Sequence, residues 1–297
     1  MKNHNKVVNL KDYELVLSYS FGNRERPCTG HIFECIEYFH ILKKHFKCCI
    51  LIGDCVDFES IIGHILKKYT FEENDIWDII EAVHIADNPR IVIGDKLLLV
   101  DGNYKRLSNK VIKFNKYYAF PCGLKNECDY PDNVHILGDS RIYDFKRPNF
   151  THYTKKILTS KLCTDVPEVK YDYMLYITEG VREIPLEEIE RIVDKYDGSF
   201  VIYSDYLSRI DRSNVVVESV PVPDVFKFDT YIYTSIDRKF DCSPRFIVEC
   251  ELLGKNVIYE LSYPMIEDKG LYYRNIDINN NEFSLDEEEQ LLKVINE

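Results

Sequence analysis

Apolar positions along the chain follow two alternating rhythms. Residues 14–19 form a short β-rich apolar run ending in a loop over residues 20–30. After it Ile32, Phe33, Ile36, Phe39, Leu42 and Phe46 recur at three- and four-residue intervals, which predicts an amphipathic helix over 31–46. The fully apolar run 48–53 predicts a buried strand, and 58–68 a second helix. A further helix is expected at 75–85, and short strands at 90–93, 96–100, 110–114, 117–120 and 134–137. From 139 to 167 the sequence turns polar and irregular, with Arg147-Pro148 and Val166-Pro167 as breakers.

Beyond that stretch the pattern restarts. Strands are expected at 172–178, 199–204, 215–218, 230–234 and 256–259, with helices at 185–196, where Pro185 suits a first turn, and at 245–253. The tail, 284–296, reads as an acidic amphipathic helix with Leu291, Leu292 and Ile295 on its apolar side. Each half alternates strands with helices, the sign of a mostly parallel sheet covered on both faces. The expected fold is therefore α/β with two Rossmann-like domains, residues 1–150 and residues 151–297, the second carrying the C-terminal helix. A length of 297 residues suits two such cores.

Composition narrows the class. The chain is 45% hydrophobic and 30% charged, as a folded globular protein is. Its start has no secretory pattern, and no run of about 18 apolar residues occurs, so no membrane-spanning segment and a cytoplasmic location are expected. Ten cysteines sit largely inside apolar runs, among them Cys35, Cys48, Cys49 and Cys250, and read as reduced core thiols. The spacing of Cys122 and Cys128 does not suit zinc. A net charge of −12 opposes a broad nucleic-acid footprint and leaves room only for a local basic groove. Abundant Tyr, Asn, Lys and Ile fit an AT-rich coding genome such as that of a virus or phage, which would make the location host cytoplasm.

The chemistry concentrates in residues 240–259, FDCSPRFIVECELLGKNVIY. The pattern strand, polar loop, helix, Gly-Lys, strand places Asp241, Ser243, Pro244 and Arg245 where a loop enters a helix. Helix N-termini at the carboxyl edge of a parallel sheet attract diphosphates. Asp241 and Glu249 are separated by seven residues, and Gly254 stands five beyond Glu249. This segment resembles the Glu-x7-Glu region of retaining GT-B glycosyltransferases, in which two Rossmann-like domains face a central cleft. It departs from that pattern in having Asp at the first acid and Cys242-Ser243-Pro244-Arg245 before the helix. The resemblance implies that Asp241 approaches the donor sugar and Glu249 accepts hydrogen bonds from the nucleotide ribose. On the residues by themselves, Asp241 and Ser243 also fit a capped helix with Glu249 on a solvated face.

Other candidates follow from charge. No Asp-x-Asp occurs, so neither metal nor cofactor is expected beyond the nucleotide-sugar co-substrate. Arg182 fits a phosphate contact that offsets charge on the leaving group, and equally a surface ion pair; Arg238 and Lys239, just before Asp241, are further donor-side cations. In the first half Gly22 and Gly30 permit close backbone approach, so Gly22 joins the donor-binding candidates, while Thr29 suits a cap. Arg24, Arg26 and His31 are acceptor-side candidates, with His31 also readable as a capping or core histidine. Asp54 and Asp139 follow apolar strands.

These readings combine into an expected hexosyltransferase-like enzyme that moves a sugar from a nucleoside-diphosphate sugar to an acceptor hydroxyl, retaining and metal-independent. The acceptor is a glycan or small molecule. One alternative is a viral glycosyltransferase acting on hydroxymethylated DNA bases, drawing on Arg24, Arg26, Lys43, Lys44, Lys67, Lys68, Lys105 and Arg106 as a basic patch. Another is a non-catalytic nucleotide-binding protein of the same fold. A dinucleotide oxidoreductase is disfavoured because no Gly-x-Gly-x-x-Gly opens either half.

Overall fold

The computed structural model of the chain describes residues 7–18, 30–53, 63, 66–71, 79–82, 91–100, 112–121, 130–140, 143–177, 184–204, 207, 210–218, 226–235, 245–261 and 285–297. It divides into two compact units, Met1–Leu162 with Glu282–Glu297, and Cys163–Asn281.

The first unit is built on an eight-stranded sheet. Its strands are β1 (Val8–Asn9), β2 (Leu15–Ser18), β3 (Cys48–Gly53), β4 (Ile79–Ala82), β5 (Val92–Leu99), β6 (Ile112–Ala119), β7 (Val134–Gly138) and β8 (Phe150–His152), with helix α1 (Gly30–Leu42) between β2 and β3. The order is β4-β3-β2-β5-β6-β7-β8, with β1 also on β5, and every pairing is parallel. Because β1 meets β5 at Val92 and β2 meets it at Leu97, the two form one interrupted strand. The order therefore runs backwards from β2 to β4 on one side and forwards from β5 to β8 on the other, which is doubly wound. Leu15, Val16 and Leu17 are fully buried, as a central parallel strand requires.

Several expectations for this unit are corrected. Residues 79–82, expected within a helix, form β4, paired Ile50 to Ile79 and Gly53 to Ala82. A short apolar run satisfies either period, and the open edge of β3 decides it. The pairs of short strands expected at 90–93 with 96–100 and at 110–114 with 117–120 are single strands, β5 and β6. The polar residues that read as turns sit within the ladder, where Asn115 Nδ2 donates to Asp95 Oδ1 at 2.7 Å. Gly94 is needed there, since a Cβ would lie 2.2 Å from the Phe114 ring. The stretch expected to be irregular contains β8, which pairs Ile136 to Phe150.

The second unit has a five-stranded parallel sheet in the order β11-β10-β9-β12-β13. In chain order its elements are β9 (Tyr171–Ile177), α2 (Leu186–Lys195), β10 (Phe200–Ser204), β11 (Val215–Glu218), β12 (Phe228–Ser235), α3 (Arg245–Leu252) and β13 (Asn256–Leu261). Here sequence and structure agree closely. Alternating side chains give the sheet two different faces. The α2 side is largely aliphatic, with Leu175, Ile177, Ile189, Ile192, Val193, Ile202 and Ile232. The α3 side is aromatic, with Tyr203, Phe228, Tyr231 and Tyr233 around Ile247 and Cys250.

The last element, α4 (Leu285–Asn296), packs with the first unit, not the second. Tyr118 Oη donates to Ile295 O at 3.1 Å, Lys116 Nζ to Glu297 O at 2.6 Å and Gln290 Nε2 to His152 O at 2.7 Å. Leu291, Val294 and Ile295 are buried, while Leu292 is half-buried. The expected boundary near 150 also moves to 162, because residues 150–162 remain bonded to the first unit. Beyond the β8 pairing, Thr70 N donates to Lys161 O at 2.8 Å, and Lys155 Nζ to Glu34 Oε2 at 2.9 Å.

Candidate functional site

In the second unit the strand order reverses between β9 and β12, neighbours in the sheet. Ligands of doubly wound sheets bind beyond the carboxyl ends of such strands. The segments leaving Ile177 and Ser235, residues 178–183 and 236–244, lie outside the described residues. Each leads into a helix that returns antiparallel to the strands, so the first turns of α2 and α3 stand on this edge. Beneath it runs a row of tyrosines on the α3 face. Tyr203 pairs with Tyr176 and Tyr233 with Tyr259, and the register of β9 with β12 puts all four at one level. The Tyr176 ring stacks on Phe246 in the first turn of α3, centroids 6.0 Å apart.

The two helices differ in their charge patterns. Helix α2 has Glu187 and Glu188 in its first turn and Lys195 in its last, matching its macrodipole. Helix α3 has no acid in its first turn and no base in its last; instead Arg245 opens it, adding positive charge to an end already positive. Arg245 Nε donates to Glu249 Oε1 at 2.5 Å, one turn on, and the two side chains are only 9% and 2% exposed. Glu249 is thus buried, which removes the reading of it as a solvated face residue. An ionised carboxylate accepts up to about four hydrogen bonds, so the Arg245 bond does not by itself exhaust it.

Gly254 has a structural cause for its position. Its φ is +68°, its N–H donates to Glu251 O at 3.1 Å, and Lys255 N donates to Cys250 O at 2.8 Å. This is a Schellman ending, and the left-handed residue it requires falls at 254.

Of the residues singled out in the sequence, the structure brings Arg245 and Glu249 together. Arg182, Arg238, Lys239, Asp241 and Ser243 lie outside the described residues, as do Gly22, Arg24, Arg26 and Thr29. So do Asp54, Lys105 and Arg106. Asp139 is buried at the end of β7 and accepts a bond from Thr154 Oγ1 at 3.0 Å. Of the basic-patch candidates, Lys43 and Lys68 lie over the rings of Phe39 and Phe33.

His31 stands in the first turn of α1, beside the carboxyl end of β2, where the first sheet reverses its order. Its Nδ1 is 3.7 Å from Glu34 Oε2, the oxygen that Lys155 Nζ reaches at 2.9 Å. Burial pushes the Glu34 carboxyl up, but Lys155 and His31 outweigh it and bring it down to about 2. Glu37 on the same helix is buried and accepts a bond from Tyr69 Oη at 2.9 Å. Sequence reading missed Glu34 and Lys155, which are 121 positions apart. The only available signal was Glu34 lying three residues after His31 on a helical period.

Cys35, Cys48, Cys49 and Cys250 are buried. Among the described residues, no three His, Cys, Asp or Glu side chains gather as a metal site would need, and no helix is long and apolar enough to cross a membrane.

No protein-family model matches the chain, and no curated protein matches it. Among solved structures, a glycosyltransferase from Rickettsia africae ESF-5 is similar over 98% of this chain and 98% of its own, at 12% identity and a TM-score of 0.51. The apo form of the lipopolysaccharide outer core galactosyltransferase WaaB aligns over 95% of this chain and 94% of its own, at 11% identity and a TM-score of 0.47. Arabidopsis thaliana UGT89C1, complexed with quercetin, aligns over 95% and 93%, at 12% identity and a TM-score of 0.37. The Rickettsia likeness establishes a shared fold, the two-unit Rossmann-like α/β architecture that the alternating pattern predicts.

Proposed function

We propose that the chain is a glycosyltransferase that moves a sugar from a nucleoside-diphosphate sugar to an acceptor hydroxyl. The observation that carries this reading is the pairing of Arg245 with the buried Glu249 over the opening turns of α3, at the switch point of the second sheet. That turn joins the positive end of a helix to an arginine, a setting suited to a diphosphate, and a buried carboxylate suited to the hydroxyls of a ribose. The fold shared with a glycosyltransferase is in keeping with this.

In this reading Glu249 accepts bonds from the ribose, Arg245 and Ser243 serve the diphosphate, and Asp241 approaches the sugar. Arg182, Arg238 and Lys239 supply cations from the two adjoining segments, in place of a metal. The bond from the anomeric carbon to the diphosphate breaks as the acceptor oxygen attacks, and the acceptor hydroxyl's proton passes to the departing diphosphate oxygen. The departing diphosphate takes up charge that Arg182 offsets. Retention at the anomeric carbon follows the Glu-x7-Glu resemblance. Arg24, Arg26 and His31 of the first unit serve the acceptor in this reading, and Gly22 remains a donor-side candidate.

A thermal-shift panel of UDP-, GDP- and ADP-sugars tests the proposal. A ligand present at about 100 times its Kd stabilises the native state by about 2.7 kcal/mol, so at least one donor raises Tm. A flat response across the panel, together with mass spectra showing no nucleotide carried through purification, contradicts it.

A further inference from the structure

The first unit holds a half-buried charge cluster, built from parts far apart in the chain. Glu34, on the second turn of α1, is 14% exposed, and its Oε2 is faced by a lysine and a histidine from different elements. His31 lies one turn earlier on α1, and Lys155 belongs to the segment that follows β8. That segment is docked on α1 by more than this contact. Lys156 N donates to Tyr38 Oη at 3.3 Å, and the Tyr38 and Tyr153 rings are 6.5 Å apart. On the neighbouring segment Tyr69 Oη bonds to Glu37, and Lys68 covers Phe33. These contacts bring Glu34, Glu37, Tyr38, Lys68, Tyr69, Tyr153, Lys155 and Lys156 to this end of α1 as its charged and titratable neighbours.

A surface ion pair would not need such construction. Both groups face one oxygen, so the Lys155 ammonium and a proton on His31 compete for it. Imidazole geometry sends Nε2 of His31 away from the carboxylate that Nδ1 faces.

We propose that Lys155 is a positioning residue for His31, acting through Glu34, so that the lysine sets how firmly the carboxylate holds the imidazole that meets an acceptor hydroxyl. The acceptor part rests on the glycosyl-transfer reading; the coupling among the three side chains does not. With Lys155 in place, Glu34 is largely neutralised and His31 stays neutral enough to accept a hydrogen bond near neutral pH. Without the lysine the carboxylate turns to the histidine alone and favours the imidazolium.

The test is an NMR titration of the full-length protein, with the His31 ring resonance assigned by its loss in His31→Asn. Lys155→Met is expected to raise the His31 midpoint by about one pH unit, and Glu34→Gln to lower it by a similar amount. In the Glu34→Gln background, Lys155→Met should have a much smaller effect, because the shared oxygen is gone. Lys155→Arg should leave the midpoint near the wild-type value, and Lys155→Gln, which removes the charge while keeping a polar stem, keeps the experiment decisive if Lys155→Met does not fold. A midpoint indifferent to the removal of the lysine charge, in whichever of Lys155→Met and Lys155→Gln folds, overturns the proposal. Coupled titration in a protein that binds no nucleotide sugar supports the positioning role and sinks the glycosyl-transfer reading. Nucleotide-sugar binding with an uncoupled His31 does the reverse. In an active enzyme, Lys155→Met is expected to raise the acceptor KM several-fold more than it lowers kcat.

Discussion

Among the described residues, the five-stranded sheet buries one glutamate on each side, and the two are held differently. Glu260, at the end of β13, is answered from another element: Arg191 at 3.3 Å, Lys195 and Tyr196, all on or just after α2. These bonds tie a helix to a strand. Burial pushes the Glu260 carboxyl up, and its three partners together bring it below the usual range. Glu249, on the aromatic side, is answered by Arg245 of its own helix. An exposed pair one helical turn apart is worth only about 0.2–0.5 kcal/mol, while burying two charges costs several. The first arrangement has an evident structural return. The second breaks the charge rule of its helix and buries ions to do so, and such departures gather where a protein binds something.

The largest effect is expected from breaking the second pair. Arg245→Ala removes the arginine partner of the buried Glu249 carboxylate, and should lower unfolding free energy by about 3–5 kcal/mol in urea melts. The double variant Arg245→Met, Glu249→Leu should regain most of that stability, since apolar replacements of buried ion pairs are often neutral or better, while nucleotide-sugar binding stays lost. Recovery of both properties would place Glu249 with Glu260 as a structural residue.

Glu34 of the first unit belongs with Glu260, because its lysine comes from a distant segment. Its folded-state carboxyl lies at about 2 against an ordinary 4.5. The sign follows: the stability it contributes is present above about pH 4.5 and is lost as pH falls toward about 2. The loss should be of order 2–3 kcal/mol in acid-titrated urea midpoints, and Glu34→Gln should flatten that limb. Glu260→Gln ranks lowest, at about 1–2 kcal/mol, because Arg191 and Lys195 are about half exposed and solvent screens them. It should leave nucleotide affinity unchanged, which calorimetry on the purified variant can check.

How much of this was legible in the sequence depended on what each element leans on. In the second unit, hydrophobic runs bounded by Pro185, Gly198 and Gly254 located every described strand and helix within two residues. Local period and turn chemistry suffice where strands are fully buried. In the first unit, β4 was hidden because residues 79–82 satisfy a helical period equally well, and β5 and β6 were split at polar residues that pair across the sheet. The docking of α4 on the first unit left no local trace, since an apolar stripe does not name its partner. Arg245 and Glu249 were legible as types and spacing, but their burial was not. Glu34 and Lys155 meet only through the fold.

The most direct measurement of the central claim is the affinity of Glu249→Gln for nucleoside diphosphates and for their 2′,3′-dideoxy forms, by calorimetry beside the wild type. A carboxylate bonded to the ribose predicts that Glu249→Gln weakens the natural nucleotide about tenfold or more, and that removing the ribose hydroxyls costs the wild type heavily but the variant little. Wild-type affinity of Glu249→Gln for every nucleotide diphosphate that the native protein binds would contradict the assignment of α3 as the donor site.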